Sequence, residues 1–302
     1  MQYESEYLIS QNIRSEHSYS SYSTQNQFHF QHPQKSILTF NGAASTGEVY
    51  LKNPTGLCID RINGFIFIAE NSSILAIHTK PTINVFTSQG DYMTTFGRDF
   101  IDPPCQISVT IDEYSFYVLD QLEQRIIQFT DFAINTISID LPLPRGIVCD
   151  EDGFVYVIDG YSRRICVFSR ELKLLNKFGL SIAAFPLNLD ILSDILVILC
   201  NPISILYCSL LGDKLRNIDL WNIIIPPKYF CIDTETNNTF VSDLSNNCIK
   251  VYNMDGELIR TIGSSNRINR KLTPSFIAVT NFHTLLVINS GDDGINAQMF
   301  PL

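Results

Sequence analysis

One motif returns six times along the chain, and it constrains the fold more than any other feature. It opens with a proline before a short apolar run, Pro54-Thr55-Gly56-Leu57-Cys58-Ile59-Asp60, and continues as Asn63-Gly64-Phe65-Ile66-Phe67-Ile68-Ala69-Glu70. It recurs as Pro144-Arg145-Gly146-Ile147-Val148-Cys149-Asp150, then Asp152-Gly153-Phe154-Val155-Tyr156-Val157-Ile158-Asp159. Weaker copies start at Pro104, Pro186, Pro227 and Pro274, so successive starts lie 40 to 50 residues apart. A repeat of this length, built from short strands, buries its faces only by stacking on its neighbours, which is the arrangement of a β-propeller.

Each repeat divides into four strands. In the third copy they read Gly146–Cys149, Phe154–Ile158, Arg164–Phe168 and Leu174–Phe178, with Glu151-Asp152-Gly153 as a hairpin turn. The fourth copy has drifted furthest, with Cys200 where others carry Asp or Glu, and the first carries an insertion around Ala76–Thr82. The predicted fold is all-β: a six-bladed β-propeller of four-stranded antiparallel blades. The short strand at Ile37–Phe40 precedes the first full repeat, and the last repeat ends one strand short at Leu302. The N-terminal strand is therefore expected to complete the last blade and close the ring. Residues 35–302 form this domain. Residues 1–34, rich in Ser, Tyr, Gln and His, bury too little apolar area to offset their ordering entropy and are expected to be disordered.

Composition narrows the partners. A net charge of −10 argues against phosphate backbones as the main ligand. None of the eight cysteines forms a Cys-x-x-Cys pair, so zinc knuckles and thioredoxin motifs are absent. Most sit in apolar strands as small hydrophobes, which suits a reducing, cytoplasmic setting. The start of the chain has neither a basic segment nor an apolar core of the secretory type, and its apolar runs are too short to span a bilayer. No membrane partner is expected, and the propeller should be monomeric.

The recurring pattern Pro-x-Gly-hydrophobic-x-hydrophobic-Asp, a Gly-led second strand ending in Asp, then Arg-Ile-x-Val-Phe and Phe-Gly, resembles the NHL-repeat family of six-bladed propellers. The third repeat carries most of it: Pro144, Gly146, Asp150, Gly153, Asp159, Arg164, Ile165, Val167, Phe168, Phe178 and Gly179. The resemblance covers about residues 35–302 and implies a recognition platform. Family members include C-terminal domains of RING- and B-box-containing ubiquitin ligases, RNA-binding regulators and a few secreted enzymes. This chain has no RING and no B-box, so the resemblance implies at most substrate or adaptor recognition in a ubiquitin-ligase pathway.

No catalytic or metal-binding set emerges. The acidic residues ending the second strands (Glu70, Asp120, Asp159, Asp243, with Asn289 last) repeat blade by blade, whereas active sites are asymmetric. Each is read as a turn acceptor paired with the Arg of its own repeat. Only His78 and His283 fall in the propeller, in different blades, and Asp292-Asp293-Gly294 reads as a plain turn rather than a calcium loop. No cofactor is expected. The loops joining second to third strands share one face with those joining each blade to the next. That face collects basic residues, and the opposite one collects Asp60, Asp150, Glu151, Asp233 and Glu235 among other acids. The expected docking surface for a protein or peptide segment is the basic face, with Arg125, Tyr161, Arg163, Arg164, Arg267, Arg270 and Lys271. The first alternative is single-stranded RNA held by the same basic islands, diluted here by Asp99, Asp102, Glu123 and Asp159, and the second is a degenerate propeller enzyme.

Overall fold

A computed structural model describes residues 38–40, 43–44, 47–48, 51, 53–71, 81–97, 107–111, 115–130, 134–180, 185–220, 223, 227, 229–263, 272–291 and 294–302. The 1–34 leader, His78, Pro104, Arg267, Arg270, Lys271 and the Asp292–Asp293 pair lie outside the described residues.

The described residues form six four-stranded antiparallel sheets and one small hairpin, Ala43–Ala44 with Gly47–Glu48. Blade one comprises Pro54–Ile59, Ile66–Glu70, Thr82–Phe86 and Tyr92–Phe96. Blade two comprises Ile107–Ile111, Ser115–Asp120, Arg125–Thr130 and Ile134–Ser138. Blade three comprises Pro144–Cys149, Val155–Asp159, Arg164–Phe168 and Leu174–Gly179. Blade four runs through Phe185–Leu192, Ile195–Asn201, Ser204–Ser209 and Lys214–Asp219. Blade five runs through Phe230–Ile232, Thr239–Asp243, Cys248–Tyr252 and Leu258–Ile262. Blade six takes Pro274–Val279, Thr284–Gly291 and Gly294–Pro301 from the C-terminal end. Its fourth strand is Leu38–Phe40, which pairs antiparallel with Met299 to Ala297. The first strands touch one another in ring order, and that of blade six also touches that of blade one. The chain is a six-bladed β-propeller.

The repeated proline has a local cause. Pro54, Pro144, Pro186 and Pro274 each sit at a bulge that opens the inner strand, opposite Glu70, Asp159, Cys200 and Asn289. Lacking an N–H, proline cannot serve a regular ladder, and a bulge is where it is tolerated. Blade two differs: Ile107, not Pro104, lies opposite Asp120, and the register there is unbroken. The third-to-fourth turns of blades one, three, four and five share a left-handed residue, filled by Gly90, Leu172, Gly212 and Gly256. At Gly256 a Cβ would run into Ile218 of blade four, which adds a steric reason for glycine to the left-handed backbone.

The second strands of blades one, two, three and five are buried along their full length. Their alternate residues face opposite neighbours. Phe67 and Ala69 pack with Phe116 and Val118 of blade two, while Ile66 and Ile68 pack with Leu286 and Ile288 of blade six. Four further apolar clusters fill the remaining blade boundaries, so every boundary holds one. The outer strands are different: all but one residue of Leu174–Gly179 is exposed.

Two outcomes follow. Ile198 is fully buried at the boundary of blades three and four. Ile198→Ala should cost about 2–5 kcal/mol, read from the urea midpoint, whereas Leu211→Ala, at a 77 % exposed turn residue, should change stability by less than about 0.5 kcal/mol. Burial also pushes the thiols of Cys200 and Cys208 up to about 12 and about 11, starving them of reactive thiolate. Iodoacetamide at mildly alkaline pH should leave both unlabelled in native protein and label both in denaturant, as read by peptide mass spectrometry.

Candidate binding faces and central channel

The acidic residues that end the second strands act as turn acceptors. Asp120 is fully buried; it accepts Glu123 N–H at 3.2 Å and pairs with Arg125. Asp159 repeats this with Ser162 N–H at 3.2 Å and Arg164 Nε at 2.9 Å. Blade five has Cys248 at the arginine position, and Lys250, two residues on and so on the same face of the strand, supplies the cation at 2.8 Å from Asp243. In blade one the longer Glu70 reaches Asn84 Nδ2 at 2.6 Å. In blade six Asn289 accepts Thr273 N–H at 3.1 Å. In blades two, three and five the acid thus fixes the turn between second and third strands and its cation.

Two of the residues expected at the docking face, Arg125 and Arg164, are therefore engaged by buried carboxylates, with side chains 18 % and 32 % exposed. Tyr161 stands free in the turn of blade three at 74 % exposure. Arg163 has left-handed backbone, φ 51°, as do Gln124 and Asn247 at the same turn position. Its guanidinium lies 4.0 Å above the ring of Phe185, the first residue of blade four. Leu122 and Leu143, both exposed, belong to the same loop face. Gln121 Nε2 donates to the Arg145 carbonyl at 2.5 Å, and Gly160 N–H to the Leu143 carbonyl at 2.9 Å, so loops of blades two and three are fixed together. Phe185, Leu122 and Leu143 are additions to the residues expected from sequence. The apolar residues in loops otherwise rich in Arg and Asp were their only sequence signal.

The opposite face is built from the first-to-second and third-to-fourth turns. Asp60 accepts the N–H groups of Ile62 and Asn63 at 2.8 and 3.1 Å, and Asp150 accepts Phe154 N–H at 2.8 Å and the Tyr156 hydroxyl at 3.0 Å. His283, in the corresponding turn of blade six, lies 3.3 Å from Asp233 and 3.4 Å from Glu235. At this face the central channel opens as a cavity of about 540 Å³ lined by the inner strands. Arg61 of blade one reaches over the mouth to Asp190 of blade four at 3.0 Å. Among the described residues, no group of three or more His, Cys, Asp and Glu is placed to hold a metal ion, and no helix is long and apolar enough to cross a membrane.

No protein-family model matches the sequence, and no curated protein matches it. Solved structures do. The chain is similar to virginiamycin B lyase from Staphylococcus aureus, with 16 % identity, a TM-score of 0.58, and coverage of 83 % of this chain and 85 % of that one. It is similar to a chain in the crystal structure of a nidogen/laminin complex, with 18 % identity, a TM-score of 0.56, and coverage of 70 % and 80 %. It is also similar to the Cps50 (Swd1) propeller domain of Myceliophteria thermophila, with 7 % identity, a TM-score of 0.62, and coverage of 89 % and 100 %. At such identities the likeness concerns the fold alone.

The Asp243–Lys250 pair yields a test. Burial works against the ionised Asp243, yet the hydrogen bonds from Lys250, Ser245 and Asn246 hold its carboxyl below the ordinary value. A folded value below the unfolded one of about 3.9 gives stability that is present above that pH. It is lost as pH falls through the folded value. Asp243→Asn should cost about 3 kcal/mol at neutral pH by leaving Lys250 charged and buried, and should flatten the acid limb of a plot of thermal midpoint against pH.

Proposed function

We propose that the chain is a non-enzymatic recognition module that docks a protein or peptide segment on the loop face of blades two to four. One observation carries this reading: the exposed Tyr161 and the Arg163–Phe185 stack stand on one face with exposed Leu122 and Leu143. Aromatic and arginine side chains are the residues most enriched among energetic centres of protein interfaces. A left-handed arginine already stacked on an aromatic ring loses little freedom on docking. Arg125 and Arg164 rim this patch, and their carboxylate partners hold them in fixed positions.

The resemblance to NHL repeats supports a narrower version, in which the module selects targets for a ubiquitin ligase acting as a separate chain. The free state of all seven described cysteines suits a cytoplasmic protein. A propeller in a nidogen/laminin complex is among the similar structures, which favours a protein ligand. The virginiamycin B lyases show that the same fold can hold an enzyme, and the repetition of the acidic residues as turn acceptors is what supports a non-enzymatic reading here.

The test is an affinity capture from native lysate with the tagged full chain, with and without ribonuclease, beside Tyr161→Ala/Phe185→Ala. A protein retained after nuclease treatment and bound at least about tenfold more weakly by the double variant is the expected result. Equal retention by both proteins would remove this face from consideration. Loss of all partners on nuclease treatment would make RNA the ligand.

A further inference from the structure

Blade four breaks the repeat inside the channel. Four residues after their prolines, blades one, three, five and six carry Cys58, Val148, Cys231 and Ala278. The same position in blade four is Asp190, in register with Val197. A carboxylate at a position where these four blades carry a small apolar residue is unfavourable unless it is fully partnered. Asp190 is partnered: Oδ1 accepts Ile191 N–H at 2.8 Å, and Oδ2 accepts Ile232 N–H of blade five at 3.2 Å. Arg61 completes the set, with Nη2 3.0 Å from Oδ1 and Nη1 3.3 Å from the Ile191 carbonyl. Blades one and four are three apart in a ring of six, so this ion pair crosses the mouth from one side to the other.

We infer that Asp190 is a receptor for an arginine side chain of a protein partner, and that Arg61 occupies it until that partner docks. The carboxylate is preorganised by two backbone donors from different blades, and its side chain is 17 % exposed, while that of Arg61 is 52 % exposed. An arginine so open to water gives up little when it swings away. The acids Asp60, Asp150 and Glu151 also line the cavity, and among the described residues Arg61 is the one basic side chain in its lining. The incoming group is therefore a cation, drawn by the field of the mouth. The cavity beneath, about 540 Å³, lies within the ~300–1,000 Å³ range of ligand pockets. Beside the mouth, Ile62 and Phe282 are 61 % and 62 % exposed and offer apolar contact to residues flanking the arginine. Phe282 is held close to the turn of blade one, since a Cβ on Gly64 would lie 3.1 Å from its ring. This site lies on the face opposite Tyr161 and stands independently of the docking reading given above.

The experiment measures fluorescence anisotropy of a labelled peptide with one arginine between two leucines, and of its twin with neutral citrulline. Full-length protein is used as wild type, Arg61→Ala and Arg61→Ala/Asp190→Asn, each checked for folding by circular dichroism. Arg61→Ala should bind the arginine peptide at least about tenfold more tightly than wild type, the effect of one charge-assisted hydrogen-bonded pair. The double variant should lose that gain, and the citrulline peptide should show none of it. Equal affinity of wild type and Arg61→Ala, or equal binding of the two peptides to Arg61→Ala, would overturn the assignment. The citrulline comparison needs only Arg61→Ala, so it decides the matter even where the double variant does not fold.

Discussion

Apolar side chains on both faces of the second strands are covered only across a blade boundary, and the rest of the architecture follows from where they go. Ile66 and Ile68 turn to blade six, Phe67 and Ala69 to blade two. Full burial of a side chain of this kind is worth roughly 1.5–3 kcal/mol, and each boundary gathers about ten of them. A single blade exposes both of its faces and is unstable alone; a ring of them exposes neither. The stability therefore resides in strand interiors, and the loops at the two mouths are left to vary.

That division explains how polar residues are used. The repeating acids serve the loops: Asp120 and Asp159 each fix a turn and an arginine. The same chemistry in different blades is scaffolding. Among the departures from the repeat, two on opposite faces are where recognition is to be sought. One is the Arg163–Phe185 stack between blades three and four, and the other is the Arg61–Asp190 pair across the channel.

Much of the architecture was legible because it rests on local rules. Asp152-Gly153 and Asn63-Gly64 mark hairpin turns, and prolines mark the starts of inner strands at bulges. The carboxylate–arginine pairs were readable because both partners lie five residues apart in one hairpin. Lys250 shows where the reading stops: a missing arginine at Cys248 hid a cation two residues further along the same face. Ile107 shows it again, since in blade two it lies opposite the strand-ending acid at the place that proline takes in blades one and three. Arg61 and Asp190 lie 129 residues apart, and only closure of the ring brings them together. No pattern within a repeat points to such a pair. The ring stack is similarly hidden, because Phe185 opens one blade and Arg163 belongs to the turn of another.

The fourth strands leave one open ladder edge on the rim of each blade. An exposed edge of this kind is a template for a strand from another molecule. Lys177, Lys214, Arg216 and Arg260 stand along these rims in blades three to five. A bulge interrupts the pairing of third and fourth strands in blades one, three, four and five. Like charge and broken register together make the rim a poor surface for edge-to-edge growth. The rims of blades three to five are thus a poor template for a strand from a neighbouring molecule.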